Sequence, residues 1–278
     1  MLRSLNDLER YKVEATDGDL GTVVDFLLDD DQWVVRYLIV EVSFLSARRV
    51  LVSPISFRNA EWSTRHFHLA LTKDRIKNSP SVDTEKPVSR QHEADYNRYY
   101  AYGPYWGRGT GPWGLGPYPT ELRSEIDTGP RVAGPETGGG DVHLRSARQV
   151  CGYEVEGNDG AIGHIGDFIV DDDTWAVRYL RVNTGSWWFS KKVLVAPHWA
   201  RRVSWAERKV FVDLTRERIK SSPEWTAEAP INREYEVRLY DYYGRPVYWS
   251  NDGIPSSTPA AHSPPSSPKA TRPEGGPR

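Results

Sequence analysis

Short apolar runs separated by turn residues set the pattern of the chain. GTVVDFLL (Gly21–Leu28), WVVRYLIVEV (Trp33–Val42), RVLVSPISF (Arg49–Phe57) and HFHLAL (His66–Leu71) follow one another at a spacing typical of strands. Helical spacing is confined to TKDRIKNS (Thr72–Ser79) and TRERIKSS (Thr215–Ser222), which end at Pro80 and Pro223 and offer Thr72 and Thr215 as N-caps. The pattern predicts small rolled sheets of five or six strands, each closed by one helical turn.

The pattern occurs twice. Residues 17–38 match 159–180 at 13 of 22 positions, and LTKDRIKNSP (71–80) matches LTRERIKSSP (214–223) at seven of ten. RRVLVSP (48–54) likewise answers KKVLVAP (191–197), and Tyr99, Tyr100, Tyr105 and Trp106 answer Tyr242, Tyr243, Tyr248 and Trp249. A self-match at a fixed offset is the signature of a tandem repeat. Residues 1–106 and 143–249 are therefore read as two copies, joined by a Gly/Pro-rich linker over 107–142. A Pro/Ser-rich tail follows over 250–278, and neither linker nor tail has the composition to build a core.

A hairpin turn centred on Asp30–Asp31 places Asp25 opposite Arg36, and Asp167 opposite Arg178 in the second copy. These pairs are expected to be structural ion pairs. The same register leaves both faces of the hairpin apolar: Val23 and Leu27 with Val34 and Leu38 on one, Val24, Phe26 and Leu28 with Trp33, Val35 and Tyr37 on the other. One face lines the barrel. The other needs a cover, from the second barrel, from the aromatic segments Tyr96–Trp106 and its twin ending at Trp249, or from another protein.

Composition narrows the function. The chain carries 36 Lys and Arg against 38 Asp and Glu, a balance that argues against a nucleic-acid partner. The lone Cys151 allows no intramolecular disulfide and no paired-cysteine metal site. The N-terminus has no apolar signal core, and no window has the roughly 18–20 apolar residues of a membrane span, so a cytoplasmic protein is expected.

DGDLGTVVDFLLDDDQWVVRYLIVEV, then RRVLVSP and LTKDRIKNSP, resemble the PRC-barrel family over residues 4–80 and 146–223. That family includes the cytoplasmic domain of the photosynthetic reaction-centre H subunit and the C-terminal domain of a ribosome-maturation factor. Gly18 and Gly21, with Gly160 and Gly163, stand at its turn glycines. The resemblance implies an all-β chain of two six-stranded barrels that acts as a non-catalytic interaction module. It permits an H-subunit-like adaptor, a ribosome-associated factor or a stress-related self-associating protein, with no cofactor. The second copy departs from the pattern at Val24→Gly166 and Ile39→Arg181, so the two surfaces need not be equal.

The remaining motifs carry little chemistry. The acidic turns Asp29–Asp31 and Asp171–Asp173 lack the spaced ligands of a calcium loop and are read as hairpin turns. His66 and His68 share a strand face but lack a third ligand, so no metal site is assigned. No catalytic motif is present. Aromatic residues are the best interaction candidates: Trp187, Trp188 and Phe189, which have no aromatic counterparts in the first copy beyond Phe44, and Tyr99, Tyr100, Trp106, Tyr242, Tyr243 and Trp249. The partner is expected to be a protein, the other barrel or a second chain.

Overall fold

Gly18 and Gly160 take positive φ angles of 114° and 118° at the first tight turn of each repeat, a conformation that costs a residue with a Cβ. Three positions on, the chain needs glycine for a different reason. A Cβ on Gly21 would lie 2.0 Å from the carbonyl oxygen of Glu41, and one on Gly163 would lie 2.0 Å from that of Asn183. The first long strand of each repeat therefore crosses its neighbour almost backbone on backbone.

The computed structural model describes residues 1–42, 48–80, 88–105, 118–119, 122, 142–185, 191–226 and 231–251. The first repeat contains β1 (Leu2–Ser4), α1 (Leu5–Leu8), β2 (Lys12–Ala15), β3 (Gly18–Asp29), β4 (Val34–Val42), β5 (Arg49–Val52), β6 (Phe57–Glu61), β7 (His66–Leu69), α2 (Lys73–Lys77), β8 (Val88–Ser89) and α3 (Arg90–Tyr100). The second contains β9 (Val142–Ser146), α4 (Ala147–Val150), β10 (Glu154–Gly157), β11 (Gly160–Asp171), β12 (Val177–Thr184), β13 (Lys191–Val195), β14 (Ala200–Ser204), β15 (Lys209–Val212), α5 (Arg216–Lys220) and α6 (Arg233–Tyr243).

The strand order is β5-β4-β3-β2-β7-β6 in one sheet and β13-β12-β11-β10-β15-β14 in the other. Neighbours are antiparallel except β2 with β7 and β10 with β15, whose parallel pairing brings the ends of each repeat together. Each sheet curls but stays open. Among the described residues no ladder joins β5 to β6, which are linked instead by a 3₁₀ turn, Pro54–Ser56, capped by Ser53. Two sheets of eight and seven strands are thus present, each built around six strands of one repeat, while among the described residues the expected closure into barrels by hydrogen bonds is not seen.

The central hairpin departs from the expected register. Asp25 faces Ile39 and Leu27 faces Tyr37, and irregularities after Val23 and Leu27 shift the pairing. The second of these skips Arg36, whose guanidinium lies 3.5 Å from Asp29 instead. Arg178 likewise meets Asp171 at 3.2 Å, and Asp167 faces Arg181. A bulge adds a residue to one strand, which a fixed-sum register cannot anticipate.

Two eleven-residue helices, α3 and α6, were not expected. Their buried faces run Glu93, Tyr96, Asn97, Tyr100 and Glu236, Leu239, Tyr240, Tyr243, a 3–4–7 spacing written mostly in tyrosine rather than aliphatic residues. Ser89 and Asn232 cap their starts, and Gly244 in the left-handed region ends α6. Helix α3 supplies the cover for the second apolar face. Tyr96 packs edge-on against Tyr37 with centroids 4.9 Å apart, donates to the carbonyl of Leu51 and accepts from Ser53 N. Part of the intervening segment also joins the core, because Leu122 is buried with Ile55 and Tyr105.

Candidate interaction site

The most elaborate arrangement of side chains lies where the two repeats meet. Met1–Arg245 forms one compact unit, and Pro246 onward forms a second. Within the first, β1 leaves its own repeat and pairs with β11, while β9 pairs with β3. Each sheet therefore carries a strand from the other repeat.

The central polar contacts come in pairs. Ser4, the N-cap of α1, donates from Oγ to Asp167 at 2.5 Å, and Asp167 also accepts from Asn6 N at 3.1 Å. Ser146, the N-cap of α4, donates to Asp25 at 2.5 Å, and Asp25 accepts from Arg148 N at 3.1 Å. The carboxylate that opens each hairpin thus holds the first helical turn of the other repeat, where two donors converge on it. Burial raises the Asp167 carboxyl above the ordinary carboxylate range, and its bond from Ser4 works in the opposite direction.

One layer out, Arg3 meets Asp172 at 2.6 Å and Arg145 meets Asp30 at 2.9 Å. Arg3 stacks over Trp62 at 3.7 Å and Arg145 over Trp205 at 4.7 Å, so each guanidinium lies between an indole of its own repeat and a carboxylate of the other. Burial pushes the Asp30 carboxyl up to about 6 despite its bond from Arg145. The hairpin tips complete the exchange: Val35 N donates to Trp175 O at 2.9 Å and Val177 N to Trp33 O at 2.7 Å. Trp33 and Trp175 both have positive φ, 54° and 63°, which turns their backbone toward the partner hairpin. Trp175 inserts among Phe57 and Phe67 of the first repeat, with centroids 5.5 and 6.0 Å away.

Each acidic turn is held by hydrogen bonds to its own first aspartate. Asp29 Oδ1 accepts from Asp31 N and Gln32 N, and Asp171 Oδ1 accepts from Asp173 N and Thr174 N. Among the described residues these turns bring three carboxylates within 4.8 Å of one another, yet Asp29, Asp30, Asp171 and Asp172 are each committed to backbone amides or arginines. His68 turns to Glu14 at 3.0 Å and His66 to the carbonyl of Thr64 at 2.7 Å, so the histidine pair does not converge on a common point.

Several expected site residues are placed differently. Tyr100 and Tyr243 are buried, 3 % and 2 % exposed, which makes them core rather than contact surface. Tyr99 and Tyr242 are half-buried and donate to the carbonyls of Arg75 and Arg218, tying each long helix to the short one before it. Trp249 stacks edge-on with Tyr248 in the second unit. Trp106, Trp187, Trp188 and Phe189 lie outside the described residues. Burial pushes the Cys151 thiol up to about 12, so it stays protonated at neutral pH.

Sequence reasoning missed Ser4, Ser146, Arg3, Arg145 and the two exchanged tryptophans. The signal was present: Arg-Ser recurs at 3–4 and 145–146, one helical turn ahead of a buried Leu8 and Val150. A second buried constellation also went unread. Glu93 accepts from His143 at 2.7 Å and from Tyr105 at 2.8 Å, joining α3 to β9. Its counterpart Glu236 accepts from Tyr179 at 2.8 Å.

The chain is thus mostly β, two sheets covered by tyrosine-faced helices and joined through hydrogen-bonded polar groups. The second repeat is identified further: residues 143–219 match the PRC-barrel domain family. No curated protein matches the chain.

Proposed function

We propose that the chain is a non-catalytic protein-interaction or assembly module built from two PRC-type domains, the first repeat being a divergent copy of the second. The observation that carries this reading is the PRC-barrel match over residues 143–219, repeated in strand order by residues 12–69. The chemistry is consistent with it. The polar groups described above are largely tied to one another across the repeats, and each serine hydroxyl is spent on a buried carboxylate and a helix cap. No helix among the described residues is long and apolar enough to cross a membrane. The role follows as an adaptor that reaches larger complexes through protein contacts, of the kind the reaction-centre H subunit represents, working from the cytoplasm.

The test is a crosslinked pull-down of the tagged chain from its own host, resolved into membrane, ribosomal and soluble fractions. Recovery with membrane protein complexes supports the adaptor role. Recovery with ribosomal particles replaces it with the maturation-factor-like alternative. Recovery of the bait alone in every fraction overturns the adaptor reading and leaves self-association.

A further inference from the structure

The contact between the repeats is the same patch used twice, and such a two-fold contact does not depend on whether its halves are covalently joined. Arg3–Asp172 and Ser4–Asp167 on one side answer Arg145–Asp30 and Ser146–Asp25 on the other. We propose that this surface also accepts a second copy of the chain, the first repeat of one molecule docking the second repeat of another. The proposal is independent of the adaptor role.

The connection permits it. Leu122 packs on the first repeat and β9 begins at Val142 in the same sheet, so residues 123–141 are the only covalent tie that exchange must redirect. Those nineteen residues extend to at most about 65 Å, enough to reach a neighbouring molecule. In the closed chain the second repeat meets the first at an effective concentration on the order of millimolar. The monomer therefore dominates at micromolar concentration. Exchange takes over when the chain is refolded at high concentration or when the closed contact is weakened.

Charge reversal separates the two arrangements. One variant carries Arg3→Asp and Arg145→Asp, so carboxylate faces carboxylate at both positions within the chain. The other carries Asp30→Arg and Asp172→Arg, so guanidinium faces guanidinium. In an exchanged pair of the two variants every cross-repeat contact is again between opposite charges. Each variant alone is expected to melt below wild type. The mixture, refolded together, is expected to elute at twice the chain mass and to melt near a control chain carrying all four substitutions. A mixture that stays at single-chain mass while the control folds overturns the proposal. If the control does not fold, wild-type chains with two different tags, refolded together at millimolar concentration, decide the matter: a dimer carrying both tags supports exchange, and its absence ends it.

Discussion

In the first repeat Asp25 faces Ile39, which is 2 % exposed; in the second, Asp167 faces Arg181 at 3.8 Å. The change from isoleucine to arginine comes with a second one, from Val24 to Gly166. A Cβ on Gly166 would lie 2.5 Å from Asn183 Nδ2 and 3.1 Å from Arg181 Nη2, so the missing side chain is what makes room for the guanidinium. Arg181 then donates to the carbonyl of Gly166 at 2.6 Å. In the first repeat the matching carbonyl, Val24 O, takes its bond from Arg148, which belongs to the other repeat. Gly166 O also accepts from Asn6 Nδ2 of the first repeat at 3.2 Å, so both carbonyls are met from across the contact and Arg181 adds a bond from within. The two repeats keep one architecture, and the second supplies the arginine in both places.

The largest expected break in that symmetry is at the hairpin tips. Trp175 is 3 % exposed inside the aromatic core of the first repeat, whereas Trp33 is only half-buried. Trp175→Ala should cost about 3–5 kcal/mol by denaturant unfolding, and Trp33→Ala clearly less. Equal losses would mean that the two insertions are equivalent after all. Next in size, Gly166→Val should cost about 2–3 kcal/mol by crowding Arg181 and Asn183. Adding Arg181→Ile, which rebuilds the pair used by the first repeat, should recover about 1 kcal/mol or more of that loss. Strict additivity would uncouple the two positions.

Smaller effects follow from the caps. Ser146→Ala and Ser4→Ala should each cost about 1–2 kcal/mol, because each removes an N-cap and one donor to a buried carboxylate. The loss should be greater at Ser4. Asp167 is wholly buried whereas Asp25 is 8 % exposed, so water can replace less of what is removed. A reversed order would show that Arg181, 3.8 Å from Asp167, makes up for the donor lost there. The smallest effect concerns pH. The Asp30 carboxyl, raised from 3.8 to about 6, keeps its proton in the folded chain over a range where the unfolded chain has lost it. Its contribution to stability is therefore present at low pH, falls as pH rises from about 4 to about 6, and is level above that. Asp30→Asn should remove that slope from the stability–pH curve, and an unchanged slope would place its origin elsewhere.

Much of each sheet was legible in the chain. The apolar runs of β3 and β4, the turn glycines, and the capping threonines Thr72 and Thr215 all stand where local physics requires them. Helices α3 and α6 were obscured because tyrosine fills their buried positions, and its hydroxyl keeps the apolar stripe faint. The hairpin register was lost to bulges, which depend on contacts beyond the two strands. The exchange of β1 and β9 lay furthest from view. It pairs residues more than 110 positions apart, and no periodicity in either segment records its partner. Repetition alone hinted that Ser4 and Ser146 share a role. It gave no sign that the carboxylate each one serves belongs to the other copy.

The account rests on the claim that each repeat is completed by the other. A chain with a protease site placed between residues 128 and 139, folded and then cut, tests this directly. The two fragments should co-elute as one species and unfold in a single transition close to that of the uncut protein. Fragments that separate under native conditions, or that melt in two independent steps, would contradict it.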